Sequence, residues 1–189
     1  MLHDFGYGAV RAARHVNPDG SAGGWVALTA HVEETAHLSP EAVVFGNARV
    51  FGNARLFDRA VVCDNARVYD DSVLSGDAVV AENARVNDAE VCESARVCGD
   101  AHVNGARICG YADVGGNARV LGDALITGWA QIGDRAWLEG CEVGGTVVIK
   151  GMAAVHPGMV LTHDEHLSSG THTPDADYSR PSHQVRSSA

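Results

Sequence analysis

An all-β solenoid is the fold class this sequence predicts, and three observations predict it. Over residues 30–151 a unit of small residue, variable residue, aliphatic residue, variable residue and turn pair returns without interruption, as in AVVFGN, ARVFGN, ARLFDR, AVVCDN and ARVYDD. Read in this frame, seventeen units have six residues and four have five, and the third position is Val, Leu or Ile in all 21. The first position is Ala in eighteen, with Ser72, Cys141 and Thr146 as the exceptions. A fixed short period is the signature of a chain in which each unit is one short strand and one corner. Stacked coils of this kind share a single continuous core, so the 189 residues make one domain.

Residues 1–29 lie outside the period. AVRAARHV suits a strand or a short helix, and Asn17-Pro18-Asp19-Gly20 is a turn by composition. A solenoid leaves unpaired backbone at its ends, which invites edge-to-edge association unless it is covered. The segment therefore reads as an N-terminal cap, with Trp25 closing the first coil. Within the repeat, first and third residues fall on one side of an extended strand and point inward, while the second and fourth point out. Gly46-Asn47, Gly52-Asn53, Asp64-Asn65 and Gly116-Asn117 form corners, because Gly, Asn and Asp tolerate left-handed backbone. One-residue contractions fall near Asp88, Gly105, Gly140 and Gly145. Residues 152–189 form a C-terminal cap and tail: 152–162 supply a last strand and cap, and about the last 20 residues read as a flexible or loosely packed polar tail rich in His, Ser and Thr.

The motif of Val44-Phe45-Gly46-Asn47-Ala48-Arg49 and its successors resembles that of the hexapeptide-repeat proteins. The V-x-G-[N/D]-A-R wording, with GSAGGWV at 20–26, is similar to their YdcK-like bacterial and phage-borne branch. The resemblance covers about two thirds of the chain. It implies a left-handed parallel β-helix, a triangular prism with three units per coil and about seven coils, against the usual right-handed crossover.

The net charge of −10 argues against nucleic-acid and anionic-membrane partners. No basic and apolar leader and no apolar run of membrane-spanning length occurs, so the expected compartment is the cytoplasm. Cys63, Cys92, Cys98, Cys109 and Cys141 form an odd set without a CxxC pair, which predicts reduced thiols.

Three units per coil turn the sequence into three surfaces. One carries His31, Arg49, Arg67, Arg85, His102, Arg119 and Trp137, a basic column on an acidic protein. Its guanidinium groups suit phosphate or carboxylate, the Asn87 and Asn104 amides stand beside His102, and Trp137 suits a cation–π contact with Arg119. A histidine between two arginines has its charged form disfavoured. The plainer alternative pairs these arginines with corner carboxylates such as Asp70, Asp71 and Asp88. A second surface carries Val43, Val61 and Val79 with Phe45, Cys63 and Ala81, a flat apolar patch of the kind that marks an interface. It predicts a homo-oligomer, trimer or dimer; the alternative folds residues 1–29 over it. The third surface is mixed, with Cys92 and Cys109 neighbours in one column and Tyr111 and Trp129 at matching corners one coil apart.

Two functions follow. The first is a self-associating scaffold that binds a small anionic ligand or a protein partner and requires no cofactor. The second is an acyltransferase-like enzyme using acyl-CoA, with His102 as general base and Arg85, Arg119, Asn87 and Asn104 holding the anionic substrate. The resemblance to hexapeptide acyltransferases also implies a loop leaving the coils and a GNPAK-like segment, and neither is found. A carbonic anhydrase needs three suitably placed histidines, and His102 stands alone between His37 and His156. His156, His163 and His166 are weak metal candidates in a segment without a framework.

Overall fold

The computed structural model describes residues 1–6 and 8–174. The described chain contains strands and turns and no α-helix. It winds as a parallel β-helix whose walls are sheets of 11, 9 and 8 strands. Each coil gives one short strand to each wall, and successive strands of a wall lie 17 or 18 residues apart: Arg67 stands opposite Arg85, and Arg85 opposite His102. The alternation along each strand drives the winding. Ala48 and Val50, Ala66 and Val68, and Ala101 and Val103 all point inward with no solvent exposure, and burying such side chains is the main favourable term in folding. Backbone groups between coils are paired in ladders, as in Arg67 N–H to Ala84 C=O at 2.9 Å. The left-handed residue of a corner is the fifth of its unit, whether Gly46 (φ 69°), Asp64 (φ 59°) or Glu82 (φ 59°). The asparagine that follows is therefore free to present its amide.

The N-terminal segment is three strands: β1 (Leu2–Asp4), β2 (Ala9–Val16) and β3 (Ala22–Ala27). AVRAARHV is thus a strand. The three extend the 11-stranded wall, β1–β2 and β2–β3 antiparallel and β3 parallel to Val43–Val44. Gly24 lets β3 approach, since a Cβ there would run into the Ala42 carbonyl. In the turn, Gly20 N–H donates to Asn17 C=O at 2.8 Å. The buried Asn17 amide then caps the 8-stranded wall: its Oδ1 accepts the Leu38 N–H at 2.9 Å and its Nδ2 donates to the Leu38 C=O at 3.1 Å. One side chain replaces a missing strand there. Trp25 does not close the coil from within. It points outward in register with Val43, stacked on His3 at 4.4 Å with the Arg14 guanidinium 4.6 Å from its ring.

The coils run on past residue 151, the expected end of the repeat. Ala154–Val155, Val160–Leu161, His166–Leu167 and Thr171–His172 all pair in parallel with the coil before. The frame near Gly145 also differs from expectation. Val147 and Ile149 are the inward pair and Val148 points out opposite Gln131, so residues 141–146 form a full six-residue unit and the contraction near Gly145 disappears. The tail from residue 175 onward lies outside the described residues. No helix among the described residues is long and apolar enough to cross a membrane.

Candidate functional site

The nine-stranded wall brings His31, Arg49, Arg67, Arg85, His102, Arg119 and Trp137 into one column, each opposite the next. Neighbouring strands of such a wall lie about 4.7–4.9 Å apart. Like charges on such a ladder repel unless neutralised. Among the described residues the ion pairs are Arg59–Asp77 and Arg107–Glu90, both away from this column. Two of the carboxylates near the column are engaged with backbone and amide groups instead. Asp88 accepts the Asp71 N–H at 3.3 Å and the Asn87 amide at 3.1 Å, and Glu33 accepts the Gly52 N–H at 2.7 Å. The pairing of column arginines with corner carboxylates is therefore not found.

An open cavity of about 310 Å³ lies across the middle of the column, lined by Arg85, His102 and Arg119 with Asn83, Asp100 and Asn117. Partial burial holds the His102 imidazole below its ordinary pKa, and the charges of Arg85 and Arg119 push the same way. Arg119 also sits 5.6 Å from the Trp137 ring. Asn87 and Asn104 were expected beside His102 and do not line the cavity. They stand two residues further along their strands and bond to each other at 3.2 Å. The cavity's polar side comes instead from the corner before each strand, as Asn83-Ala84-Arg85, Asp100-Ala101-His102 and Asn117-Ala118-Arg119. That i, i+2 spacing was visible in the sequence. The amides also form a ladder: Asn47 donates to Asn65 at 3.4 Å and Asn65 to Asn83 at 3.3 Å.

On the 11-stranded wall Val43, Val61 and Val79 stand in register and half-buried, while Cys63 and Ala81 are buried in the flanking column. Phe5 stacks over Phe45 at 5.0 Å, so the N-terminal segment covers the start of this patch. Burial, and then the Asp64 carboxylate, push the Cys63 thiol up to about 12, and burial pushes Cys141 up to about 11. Neither is a reactive thiol.

The eight-stranded wall overturns one expectation, since Cys92 and Cys109 are joined as a disulfide rather than left as free thiols. Their strands are adjacent and in register, which sets the two Cβ atoms within bridging reach. Glu90 completes a group of possible metal ligands with the two sulfurs, but bonded sulfurs are not the thiolates a metal needs. Arg107 pairs with Glu90 at 3.3 Å and donates to Cys109 Sγ at 3.4 Å. His156, His163 and His166 fall on different walls and corners and join no metal-ligand group among the described residues. Tyr111 and Trp129 stack at 4.1 Å, both well exposed. No loop leaves the coils between residues 30 and 172.

Two comparisons with known proteins bear on this architecture. The family model for the YdcK β-solenoid repeat matches residues 60–76, a run that crosses all three walls. No curated protein matches the chain.

Proposed function

We propose that this chain, a parallel β-solenoid of the YdcK-like hexapeptide-repeat family, is a binding scaffold that takes an anionic ligand on its Arg/His column. The observation that carries this reading is a set of in-register guanidinium groups with no carboxylate partner among the described residues, on a chain of net charge −10. Self-repulsion along the ladder makes an incoming anion favourable, and the planar guanidinium forks match carboxylate or phosphate oxygens. Asn83 and Asn117 add neutral donors, and His102 adds a third cation once protonated. Titration calorimetry with carboxylate and phosphate ligands tests the reading. Binding that Arg85→Ser weakens supports it; no binding by any anion defeats it.

Self-association belongs to the same proposal. The Val43, Val61 and Val79 patch continues beyond the reach of Phe5, and a second copy of the chain would cover it. Val61→Glu should lower the mass measured in solution by light scattering, and an unchanged mass rejects this interface.

The acyltransferase-like alternative rests on one feature, the half-buried His102 held neutral between two arginines. A neutral imidazole is the form a general base needs, and the arginines would meet the phosphates of acyl-CoA. A coil stack without a projecting loop gives that substrate no wall to lie against, so the binding reading is preferred. Stabilisation by acyl-CoA that is lost in His102→Asn would reverse the preference.

A further inference from the structure

We infer that the Cys92–Cys109 pair on the eight-stranded wall is a redox-gated zinc site. Oxidised, it is closed as a disulfide; reduced, it holds Zn2+ between the two thiolates and the Glu90 carboxylate. The inference concerns a different wall from the anion column and is independent of the binding reading above.

The first argument is position. Cys92 and Cys109 follow strands that pair in register, Glu90 opposite Arg107 and Val91 opposite Ile108, and their Cα atoms are 4.7 Å apart. The bond between the sulfurs is not what holds the strands there. Cys92 N–H donates to Ile108 C=O at 2.8 Å and Cys109 N–H to Ile126 C=O at 2.9 Å, while Val91 and Ile108 anchor the inner side without any exposure. Opening the bond therefore leaves both sulfurs on one face, one coil apart. Two sulfurs bound to a tetrahedral zinc at about 2.3 Å stand about 3.8 Å from each other. Side-chain rotation alone supplies that separation.

The second argument is the third donor. Glu90 lies two residues before Cys92 and so points to the same side of the wall. Its carboxylate and the two sulfurs all lie within 4.8 Å of one another. Three converging donors, with the fourth position left to water, make an open zinc site. Sulfur ligands select against magnesium and calcium, which take oxygen. Copper(I) would be satisfied by the two sulfurs, so the carboxylate is what favours zinc.

The third argument is charge. The group already attracts a cation: Arg107 stands 3.3 Å from the Glu90 carboxylate and donates to Cys109 Sγ at 3.4 Å. Its well-exposed side chain can swing outward to admit the metal. Zinc with two thiolates and a carboxylate carries one net negative charge, which the displaced guanidinium neutralises from outside. Val73 and Leu125 stand opposite Glu90 and Arg107 on the coils before and after, so neither position brings a competing charge.

The gate balances with a dithiol reductant. Its two electrons and two protons convert the bond to two thiols, and the reductant leaves as its own disulfide. Zinc then replaces both thiol protons, which pass to water.

The test uses the full chain, oxidised and reduced, with zinc measured by competition against a chromophoric chelator and Co2+ as the spectroscopic probe. The reduced chain should take up one zinc that the oxidised chain does not, show the near-ultraviolet absorption of thiolate-bound cobalt, and release the metal on reoxidation. Cys109→Ser, with a melting curve matching the reduced parent, should lose that absorption, and Cys98→Ser should keep it. Glu90→Gln should weaken zinc at least about tenfold, the loss typical even of a residue that only supports a ligand, and leave copper(I) binding unchanged. Equal zinc uptake by the oxidised and reduced chains overturns the inference. So does cobalt absorption that survives Cys109→Ser or vanishes in Cys98→Ser, since the metal then sits elsewhere. Zinc affinity unmoved in Glu90→Gln removes the carboxylate and with it the assignment to zinc.

Discussion

Val68 on the nine-stranded wall and Val62 on the eleven-stranded wall are both fully buried in the same coil, yet the residues preceding them on the outside are Arg67 and Val61. The interior is the same on every wall because the fold is made there. The exteriors diverge because the strand tolerates either residue once its inner neighbours are satisfied. Function should therefore be separable from folding on this scaffold, wall by wall, and that separation can be broken experimentally.

The largest effect expected comes from attacking the shared interior. Val97→Asp on the apolar wall and Val103→Asp on the basic wall each place an unpaired charge where exposure is zero, at a cost of several kcal/mol. Both should unfold the chain or lower its melting temperature by a similar amount, whereas Arg96→Ala, one residue from Val97 and exposed, should shift it little. A clear difference between the two aspartates would show that the walls are not equivalent inside.

Reduction of the Cys92–Cys109 bond comes next. The bond closes a 17-residue separation, and in the chain-entropy picture a loop of about this size gains about 3 kcal/mol from closure. The ladder already holds the two strands together, so this is an upper value. A melting curve with and without reductant should show a fall of a few degrees, absent in Cys109→Ser. Thiol labelling under native conditions should report Cys98, which is free and half-exposed, before reduction and should rise further only after it, because Cys63 and Cys141, held near 12 and 11, contribute almost no thiolate near neutral pH.

What could be read in the sequence follows the same division. The inward positions were legible from the period of six, and the register of each outward column from the three units per coil that the hexapeptide-repeat resemblance implies. The frame error near Gly145 arose where Thr146–Val148 and Val147–Ile149 satisfy the pattern equally; pairing with Gln131–Ile132 decides for the second. The Asn83, Asp100 and Asn117 side of the cavity was missed because only strand positions were sorted by wall, and these are corner residues. Asn17 offered no local signal, since its partners on Leu38 are 21 residues away. The adjacency of Cys92 and Cys109 in one column was legible, but the bond itself was not, because an expected reducing compartment and an odd set of cysteines without a CxxC pair both point to free thiols.

On the basic wall, Arg85→Ser should weaken anion binding roughly ten- to a hundredfold, the worth of one hydrogen bond to a charged group at about 1.5–3 kcal/mol. It should leave the melting temperature of the free chain nearly unchanged. Relief of repulsion from the rest of the column would raise it slightly, as would be expected of a residue kept for binding.

The smallest effect is the most discriminating. His102 has its folded pKa lowered by burial and by Arg85 and Arg119, so as pH falls from about 6.5, the ordinary histidine value, the unfolded chain takes up the proton first. Any stability tied to neutral His102 is therefore intact above that pH and is lost as pH falls through the lower folded value. A half-exposed ring makes this slope shallow. An anion in the cavity favours the charged imidazole, so its binding should tighten severalfold through the same window and flatten in His102→Asn. A general base behaves in the opposite way, losing activity as the imidazole is protonated. Anion affinity measured across pH 5–8 thus separates a scaffold from an enzyme at one residue: tightening toward acid supports binding, and a ligand held better at high pH turns the argument toward catalysis.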